Sequence, residues 1–379
     1  MPDTPSDAFL QGQGIPVELS HIDTELTRLW GPAAQQVGGP DLENPTVTRV
    51  VLANLVVGSK LAEASKIDGV LDTVVERYPC RAIVLRQTGE GDRQVQADVS
   101  ALCHLPAPGM PQVCSERIVL RAGPQALDLL PGAVRSLLEA DLPFVLWWTF
   151  DPRESEALFL DLADECSRLI LDLPDPGTAT DALRLGLDLE KVPYARDIAW
   201  FGISRWRELV AQFFDSAQCT DKLKQIASVA IKAEAPDAAQ PPRAGAWLAA
   251  WLAGQLGWKA KARQASTGRV EATFEGPGGP VAVTIETEVN RAIPFARING
   301  VTLTTRGGPN DESTFELERP HGDAPEVRID VSSSNTCALP RQVHAPTFDA
   351  PRRMAAALES AREDPPFRRA LPHTLWLLG

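Results

Sequence analysis

The chain has 379 residues, of which 44% are hydrophobic and 23% are charged, a composition typical of globular proteins rather than of disordered or membrane-spanning ones. A single core usually stops growing below this length, so we expect two domains. The formal net charge of −13 argues against a nucleic-acid partner, because phosphate binding needs a basic face, and it is compatible with a basic protein partner.

Neither secretion nor membrane insertion is indicated. Asp3 and Asp7 stand where a signal peptide would have a basic region followed by an apolar one. No run approaches the roughly 20 apolar residues that a membrane span requires. The six cysteines are scattered without a CxxC pair, which favours a reducing compartment over a disulfide framework. We therefore expect a cytoplasmic protein with no membrane partner and no regulatory intramolecular disulfide.

Residues 1–44 are predicted to form an acidic arm that carries one amphipathic helix. The arm contains seven acidic residues and a single arginine. Within residues 17–30, apolar side chains recur at helical spacing at Leu19, Ile22, Leu26 and Leu29. A helix with such a stripe packs either on the core of its own chain or on a partner, and the own-chain interpretation is the favoured one.

Residues 45–234 alternate short apolar strands with helices, which is typical of an α/β domain. We expect a mixed, mainly parallel sheet covered by helices, extended by an antiparallel pair at 94–103 and 116–122. The remaining strands of this domain are predicted at residues 47–58, 82–86, 143–150, 167–173 and 227–233. The first two of these surround a helix at 65–77, so they form a βαβ unit.

Residues 235–243 contain adjacent prolines and are predicted to be a linker, because proline continues neither a helix nor a strand ladder. Residues 244–379 are predicted to form a smaller α+β domain with an antiparallel sheet and C-terminal helices that break at Pro365 and Pro366. After a tryptophan-rich helix, its strands are expected at residues 268–275, 281–289, 298–306, 314–319 and 326–332.

Residues 197–215 are the most distinctive stretch, and we call them the Trp/Arg segment. Ser204 is predicted to cap a helix beginning at Arg205. The apolar stripe of this helix consists of Trp206, Leu209, Val210 and Phe213. Binding hot spots favour Trp and Arg, and the candidates for partner contact lie outside the stripe: Trp200, Arg205, Arg207 and Phe214. The alternative is that the whole segment closes a domain core.

The Trp/Arg segment also resembles the OpcA family, the glucose-6-phosphate dehydrogenase assembly proteins. The resemblance rests on its Asp-x-Ala-Trp, Trp-Arg-x-Leu and Gln-Phe-Phe-Asp steps. Upstream the same family pattern is matched by Pro79-Cys80-Arg81-Ala82-Ile83, by Val113-Cys114-Ser115-Glu116, and by Asp141-Leu142-Pro143 with Leu146-Trp147-Trp148. The match spans roughly residues 45–260 in consistent order and departs from the family at Tyr78, where a histidine is expected.

This resemblance implies a non-enzymatic assembly factor and allosteric activator of glucose-6-phosphate dehydrogenase in the oxidative pentose phosphate pathway. The dehydrogenase is then the expected partner. The alternative is a metabolite-binding protein or enzyme that binds a sugar phosphate or nucleotide at the carboxyl ends of the parallel strands. Asp151 and Asp172 follow two such strands, although carboxylates at these positions are more often caps than ligands.

No catalytic, cofactor-binding or metal-binding residue is assigned from the sequence. The motifs GxGxxG, GxxxxGK[ST], GxSxG and HExxH do not occur. Soft metal ligands are available at Cys80, Cys103, His104 and Cys114. Their spacing fits no zinc pattern, and cysteine packs well as a small hydrophobic residue, so the packing interpretation is favoured.

Overall fold

The computed structural model describes residues 5–36, 47–91, 93–105, 107, 112–174, 180–187, 194–215, 217–239, 241–308, 311–320, 324–333, 336–360 and 363–379. The chain divides into two compact units. Unit 1 comprises Met1–Leu173, Leu185–Arg196 and Ala350–Ser360. Unit 2 comprises Pro174–Arg184, Asp197–Asp349 and Ala361–Gly379.

Both helices and strands are numbered in chain order. The strands are β1 (Ile15–Val17), β2 (Val47–Arg49), β3 (Asn54–Lys60), β4 (Arg81–Gln87), β5 (Val95–His104), β6 (Gln112–Ala122), β7 (Phe144–Trp148), β8 (Arg168–Leu171), β9 (Ala195–Asp197), β10 (Ile226–Ala235), β11 (Lys259–Ser266), β12 (Arg269–Gly276), β13 (Gly279–Val289), β14 (Arg297–Gly308), β15 (Asp311–Glu318), β16 (Glu326–Ser333) and β17 (Thr336–His344). The helices are α1 (Pro5–Leu10), α2 (Ile22–Gln36), α3 (Ala64–Arg77), α4 (Leu130–Leu137), α5 (Glu156–Glu165), α6 (Thr180–Leu187), α7 (Ile198–Gly202), α8 (Ser204–Gln212), α9 (Ala217–Thr220), α10 (Arg243–Leu256), α11 (Ala350–Glu359) and α12 (Pro365–Leu378).

The sheet of unit 1 is mixed and mainly parallel, as predicted. Its strand order is β1-β5-β6-β4-β3-β7-β8-β9, and β2 pairs with β6. The central strands β3, β4 and β7 pair in parallel and are buried along almost their whole length. Burial on both faces is what an α/β sheet covered by helices requires. The antiparallel pair β5 and β6 extends the sheet, which confirms that expectation.

The predicted N-terminal helix is present as α2. Three of the four predicted stripe residues, Ile22, Leu26 and Leu29, are at most 2% exposed, so the helix packs on the core of its own chain. The fourth, Leu19, precedes α2 in the 3₁₀ helix Leu19–His21 and is not buried. Phe9 of α1 adds an edge-to-face contact with Trp30, whose ring centroid lies 5.1 Å away. The part of the acidic arm at 37–44 lies outside the described residues.

The sheet of unit 2 runs in the order β11-β12-β13-β10-β14-β15-β16-β17. Its pairings are antiparallel apart from that of β10 with β13, which is parallel. Alternating apolar side chains on one face are buried, as expected for strands with one covered face. On α10, Gly245 allows Ile285 to approach, because a Cβ at this position would lie 2.7 Å from the Ile285 methyl carbon.

The division into units corrects two expectations about the C-terminal half. Strand β10, assigned from the sequence to the first domain, pairs between β13 and β14 of the second sheet. The segment predicted as a linker at 235–243 therefore joins β10 to α10 inside unit 2. The predicted break between the last helices is present, but α11 belongs to unit 1 and α12 to unit 2.

Throughout the described ranges, no helix is long and apolar enough to cross a membrane.

Candidate functional site

Asp197 begins the Trp/Arg segment and binds groups from two helices. Its carboxylate accepts a hydrogen bond of 3.0 Å from the backbone N–H of Ala199, which caps α7. It also accepts a bond of 2.8 Å from Trp247 Nε1 on α10, and it lies 3.5 Å from Arg243 Nη1. Asp197 is fully buried, so these donors offset the cost of burying its charge. The residue thus joins the start of the segment to α10.

Trp200 lies in the core of unit 2 rather than at its surface. Its ring makes edge-to-face contacts with Trp247 and Phe367, both at 5.4 Å between centroids. Its Nε1 donates a hydrogen bond of 2.8 Å to Asp364, and that carboxylate also caps α12 by accepting from the backbone N–H of Phe367. With 1% of its surface exposed, Trp200 organises the packing of three helices.

Arg207 stacks on Trp200. The guanidinium carbon lies 3.6 Å from the centroid of the tryptophan ring, which is a close cation–π contact. Its Nη2 donates to Ser204 Oγ at 3.2 Å, while Nε is buried and has no hydrogen-bond partner within the described part of the chain. Burial lowers the pKa of Arg207 to about 10, against the opposing charges of Asp364 and Glu208, so the side chain is still charged at neutral pH.

The other two candidates differ in exposure. Phe214 is 6% exposed and packs 5.1 Å from Phe315 of β15, next to Phe213. Arg205 keeps 35% of its side chain exposed and forms an ion pair of 2.8 Å with Glu208 one helical turn later. The expectation that all four side chains face solvent or a partner is therefore wrong for Trp200 and Phe214, and Arg205 is the candidate that reaches solvent.

The predicted stripe of α8 is confirmed, but its cap is not. Trp206, Leu209 and Val210 are buried in α8, and Phe213 follows as its C-terminal cap residue. Ser204 does not cap the helix: its hydroxyl donates to the carbonyl of Phe201 at 2.9 Å. This bond closes the tight connection between α7 and α8, which leaves Ser204 inside the first turn of α8.

Residues of two of the three upstream motifs meet in a buried charge network in unit 1. Glu116 is fully buried and accepts a hydrogen bond of 2.8 Å from Arg81 Nε. Its other oxygen pairs with Arg49 Nε at 2.7 Å and accepts a bond of the same length from Trp30 Nε1. Arg81 continues the network to Glu139 at 2.9 Å. The network joins β2, β4 and β6 to α2, so these motif residues hold the fold of unit 1 together.

The sequence contains a signal for this network. Arg81 and Glu116 both interrupt apolar strands, and the register places them directly opposite each other on β4 and β6. A charged residue on a buried strand face needs a partner of opposite charge. Opposite charges on two predicted neighbouring strands could therefore have been paired from the sequence.

The sequence favoured a reducing compartment over a disulfide framework, but the structure contains a disulfide; that it has no regulatory role stays a prediction. Cys103 and Cys114 are opposite each other in the β5–β6 register and are joined by a disulfide. This pair is therefore not available as thiolate ligands for the metal site weighed above. Cys80 is fully buried, which raises the pKa of its thiol to about 12 and keeps it protonated. The side chain of Cys337 lies outside the described residues.

The two carboxylates of the alternative hypothesis bind groups of their own unit. Asp151 caps the 3₁₀ helix Pro152–Ser155 by accepting from the backbone N–H of Arg153 at 2.9 Å. Hydrogen bonds from the Arg153 side chain hold the pKa of Asp151 below its usual value. Asp172 accepts a bond of 3.3 Å from Trp147 Nε1. Both carboxylates therefore have structural partners at this edge of the sheet.

Family models match most of the chain. The model described as the glucose-6-phosphate dehydrogenase subunit N-terminal domain matches residues 72–185, and that of the C-terminal domain matches residues 193–371. A protein of Synechococcus elongatus is 30% identical over 192 residues, which is 50% of this chain and 42% of that protein. One of Nostoc punctiforme is 32% identical over 209 residues, or 54% and 43%. Both bear the name OxPP cycle protein OpcA, and the chain matches less than half of the length of each.

Solved structures resemble the chain at low similarity. An oxidoreductase of Bacillus subtilis is 8% identical, covering 86% of this chain and 94% of that chain with a TM-score of 0.45. The 3-ketoreductase KijD10 of Actinomadura kijaniata is 12% identical, covering 84% and 95% with a TM-score of 0.44. Similarity at this level carries no argument about activity.

The two family models together include the residues that organise both units. Arg81 and Glu116 of the charge network lie within the first matched range. Trp200 and Arg207, with the Trp247 and Phe367 side chains around them, lie within the second. Because the two models together match most of the chain, it belongs to the OpcA family of glucose-6-phosphate dehydrogenase assembly proteins.

Proposed function

We propose that this chain is a non-enzymatic assembly factor and allosteric activator of glucose-6-phosphate dehydrogenase. The match of both family models, over residues 72–185 and 193–371, carries the proposal. The residues that carry the family resemblance support it, because they make structural contacts. Arg81 binds Glu116 in unit 1, and Arg207 stacks on Trp200 in unit 2. A protein that acts by binding needs a well-held surface more than a reactive group.

Activation then follows from differential binding. A ligand shifts an equilibrium between two states only by the difference between its affinities for them. The chain must therefore bind the active oligomer or conformation of the dehydrogenase more tightly than the inactive one, and the dehydrogenase substrate must in turn strengthen binding of the chain.

A reconstitution experiment tests this function. The purified chain is mixed with the glucose-6-phosphate dehydrogenase of its host, and co-elution and the substrate dependence of NADP reduction are measured. We expect a stable complex and a lower apparent substrate requirement than for the dehydrogenase alone. The chain alone serves as the control and is expected to reduce no NADP. Turnover by the isolated chain would instead favour an enzyme that acts on a sugar phosphate or nucleotide.

The Trp/Arg segment contributes one surface candidate to this function. Arg205 and Glu208 form an exposed ion pair on α8, whereas Trp200, Arg207 and Phe214 are held by packing. An interfacial arginine commonly contributes more to binding than to folding. Arg205 is therefore the residue of this segment that we propose for contact with the dehydrogenase.

A further inference from the structure

The sheet of unit 2 has one face whose side chains are exposed or half-buried, and we call it the open face. The strand registers align these side chains in three rows across β12, β13, β10, β14, β15 and β16. The uncharged row consists of Thr273, Ala282, Ser228, Thr304, Thr314 and Ser332. The acidic row consists of Glu271, Thr284, Ala230, Thr302, Glu316 and Asp330. The mixed row consists of Arg269, Glu286, Lys232, Gly300, Glu318 and Arg328.

The open face is broad across the strands and carries small side chains at its centre. Its centre, on β13, β10 and β14, carries in the first two rows no side chain larger than threonine. Six strands about 4.8 Å apart span about 24 Å, and the five residues of each strand that the three rows cover span about 17 Å. These dimensions give about 400 Å², about half of the roughly 800 Å² that each partner buries in a standard protein interface.

The charges on the open face decide between a second copy and a different partner. The two charged rows together contain five carboxylates and three cations, a net charge of −2, and ion pairs join them: Arg269 pairs with Glu271 and Glu286, and Arg328 pairs with Asp330. Two copies packed face to face would bring together surfaces that both carry excess negative charge, and the whole chain adds to the repulsion with its net charge of −13. A partner with basic side chains meets no such cost, so charge favours it as the occupant.

A cleft of about 480 Å³ lies beside the mixed row and offers a place for one basic side chain. It is lined by Glu234, Glu286, Glu288 and Glu318, together with Lys232, Asn299 and Arg319. Although burial by itself raises the pKa of Glu234, hydrogen bonds and charge from Arg297 outweigh it and hold the pKa below its usual value. Asn299 Oδ1 is buried and has no hydrogen-bond donor among the described residues. An arginine or lysine from a partner would bring a positive charge to the carboxylates that line the cleft.

We propose that the open face is the surface through which the chain binds the dehydrogenase, with basic side chains of the partner over the acidic row and one of them in the cleft. This inference rests on the proposed function and adds a second contact surface to the one proposed at Arg205. The small uncharged side chains at the centre allow close approach of the partner, and the excess of carboxylates in the two charged rows favours basic side chains on it.

Two kinds of variant of the full chain test this surface. Ala230→Arg places a bulky side chain on an exposed position at the centre of the open face, and Glu271→Lys with Glu316→Lys reverses charge in the acidic row. Matched controls on exposed positions of unit 1 are Ala140→Arg and Glu76→Lys with Glu90→Lys. Melting temperature establishes that each variant is folded, and affinity for the host dehydrogenase is measured at low and high salt.

We expect both open-face variants to bind at least about tenfold more weakly, and both controls to stay within about twofold of the original chain. The charge-reversal variant should also lose most of the salt dependence of binding. Unchanged affinity of folded open-face variants would overturn the assignment. Self-association that Ala230→Arg abolishes, with binding to the dehydrogenase unaffected, would overturn it in favour of a second copy. Absence of binding by the original chain would instead refute the proposed function itself, before any variant is compared.

Discussion

Arg205 and Arg207 lie two positions apart on α8, and the structure gives them different physical roles. Arg205 is partly exposed and pairs with Glu208 within the same helix, an interaction that contributes little to stability. Arg207 covers the face of the buried Trp200 ring at 3.6 Å. Its charge is partly desolvated and is stabilised by the ring and by the nearby charge of Asp364.

Replacing these arginines separates stability from binding. We expect Arg207→Ala to lower the free energy of unfolding by about 2 to 4 kcal/mol, because it removes a stacked cation and uncovers Trp200. Arg205→Ala is the matched control and should change the free energy of unfolding by less than about 0.5 kcal/mol. Urea denaturation followed by tryptophan fluorescence measures both values. Equal stability of the two variants would contradict the role assigned to Arg207.

Local periodicity predicted the stripe of α8 correctly, because the spacing of Trp206, Leu209, Val210 and Phe213 depends on the helix alone. The burial of Trp200 could not be predicted in this way. It depends on Trp247 and Phe367, which follow 47 and 167 positions later. The disulfide was missed for a related reason: whether Cys103 and Cys114 face each other depends on the register of β5 and β6, and composition does not specify it.

At the scale of elements, the parallel core of unit 1 depends on one close approach between neighbouring strands. Gly58 of β3 lies against the ring of Trp148 on β7, and a Cβ at this position would lie 2.3 Å from a ring carbon. Trp148 is fully buried and is held by Phe150 and Phe159 at 4.7 and 5.1 Å between centroids. The ring therefore has no free space into which it could move.

Two glycine substitutions test this packing. We expect Gly58→Ala to lower the free energy of unfolding by about 1 to 3 kcal/mol through overpacking. Gly69→Ala is the matched control: Gly69 is exposed within α3 with no atom near a built Cβ, so alanine should raise the free energy of unfolding by about 0.5 to 1 kcal/mol. Thermal and urea denaturation measure the two changes, and a neutral Gly58→Ala would show that Trp148 can repack.

At the scale of the whole molecule, the sequence predicted two domains and their sheet types but placed β10 in the wrong sheet. The strand follows the α/β pattern of residues 45–234, and the proline-rich stretch after it has the composition of a linker. Its actual neighbours come later in the chain: more than 40 residues, including α10, β11 and β12, separate β10 from β13 and β14. Pairings at such separation are determined by the complete sheet, so no local pattern reveals them.

Hydrogen exchange of the intact chain can test this placement of β10. Because β10 lies between β13 and β14, its amides can open only when the second sheet opens. In increasing denaturant below the unfolding midpoint, we expect residues 226–235 to lose protection together with residues 281–289 and 297–308. Residues 144–148 of the first sheet serve as the reference and are expected to follow a separate opening. If residues 226–235 exchanged with that reference instead, the division between units would lie at the segment 235–243 rather than before α7.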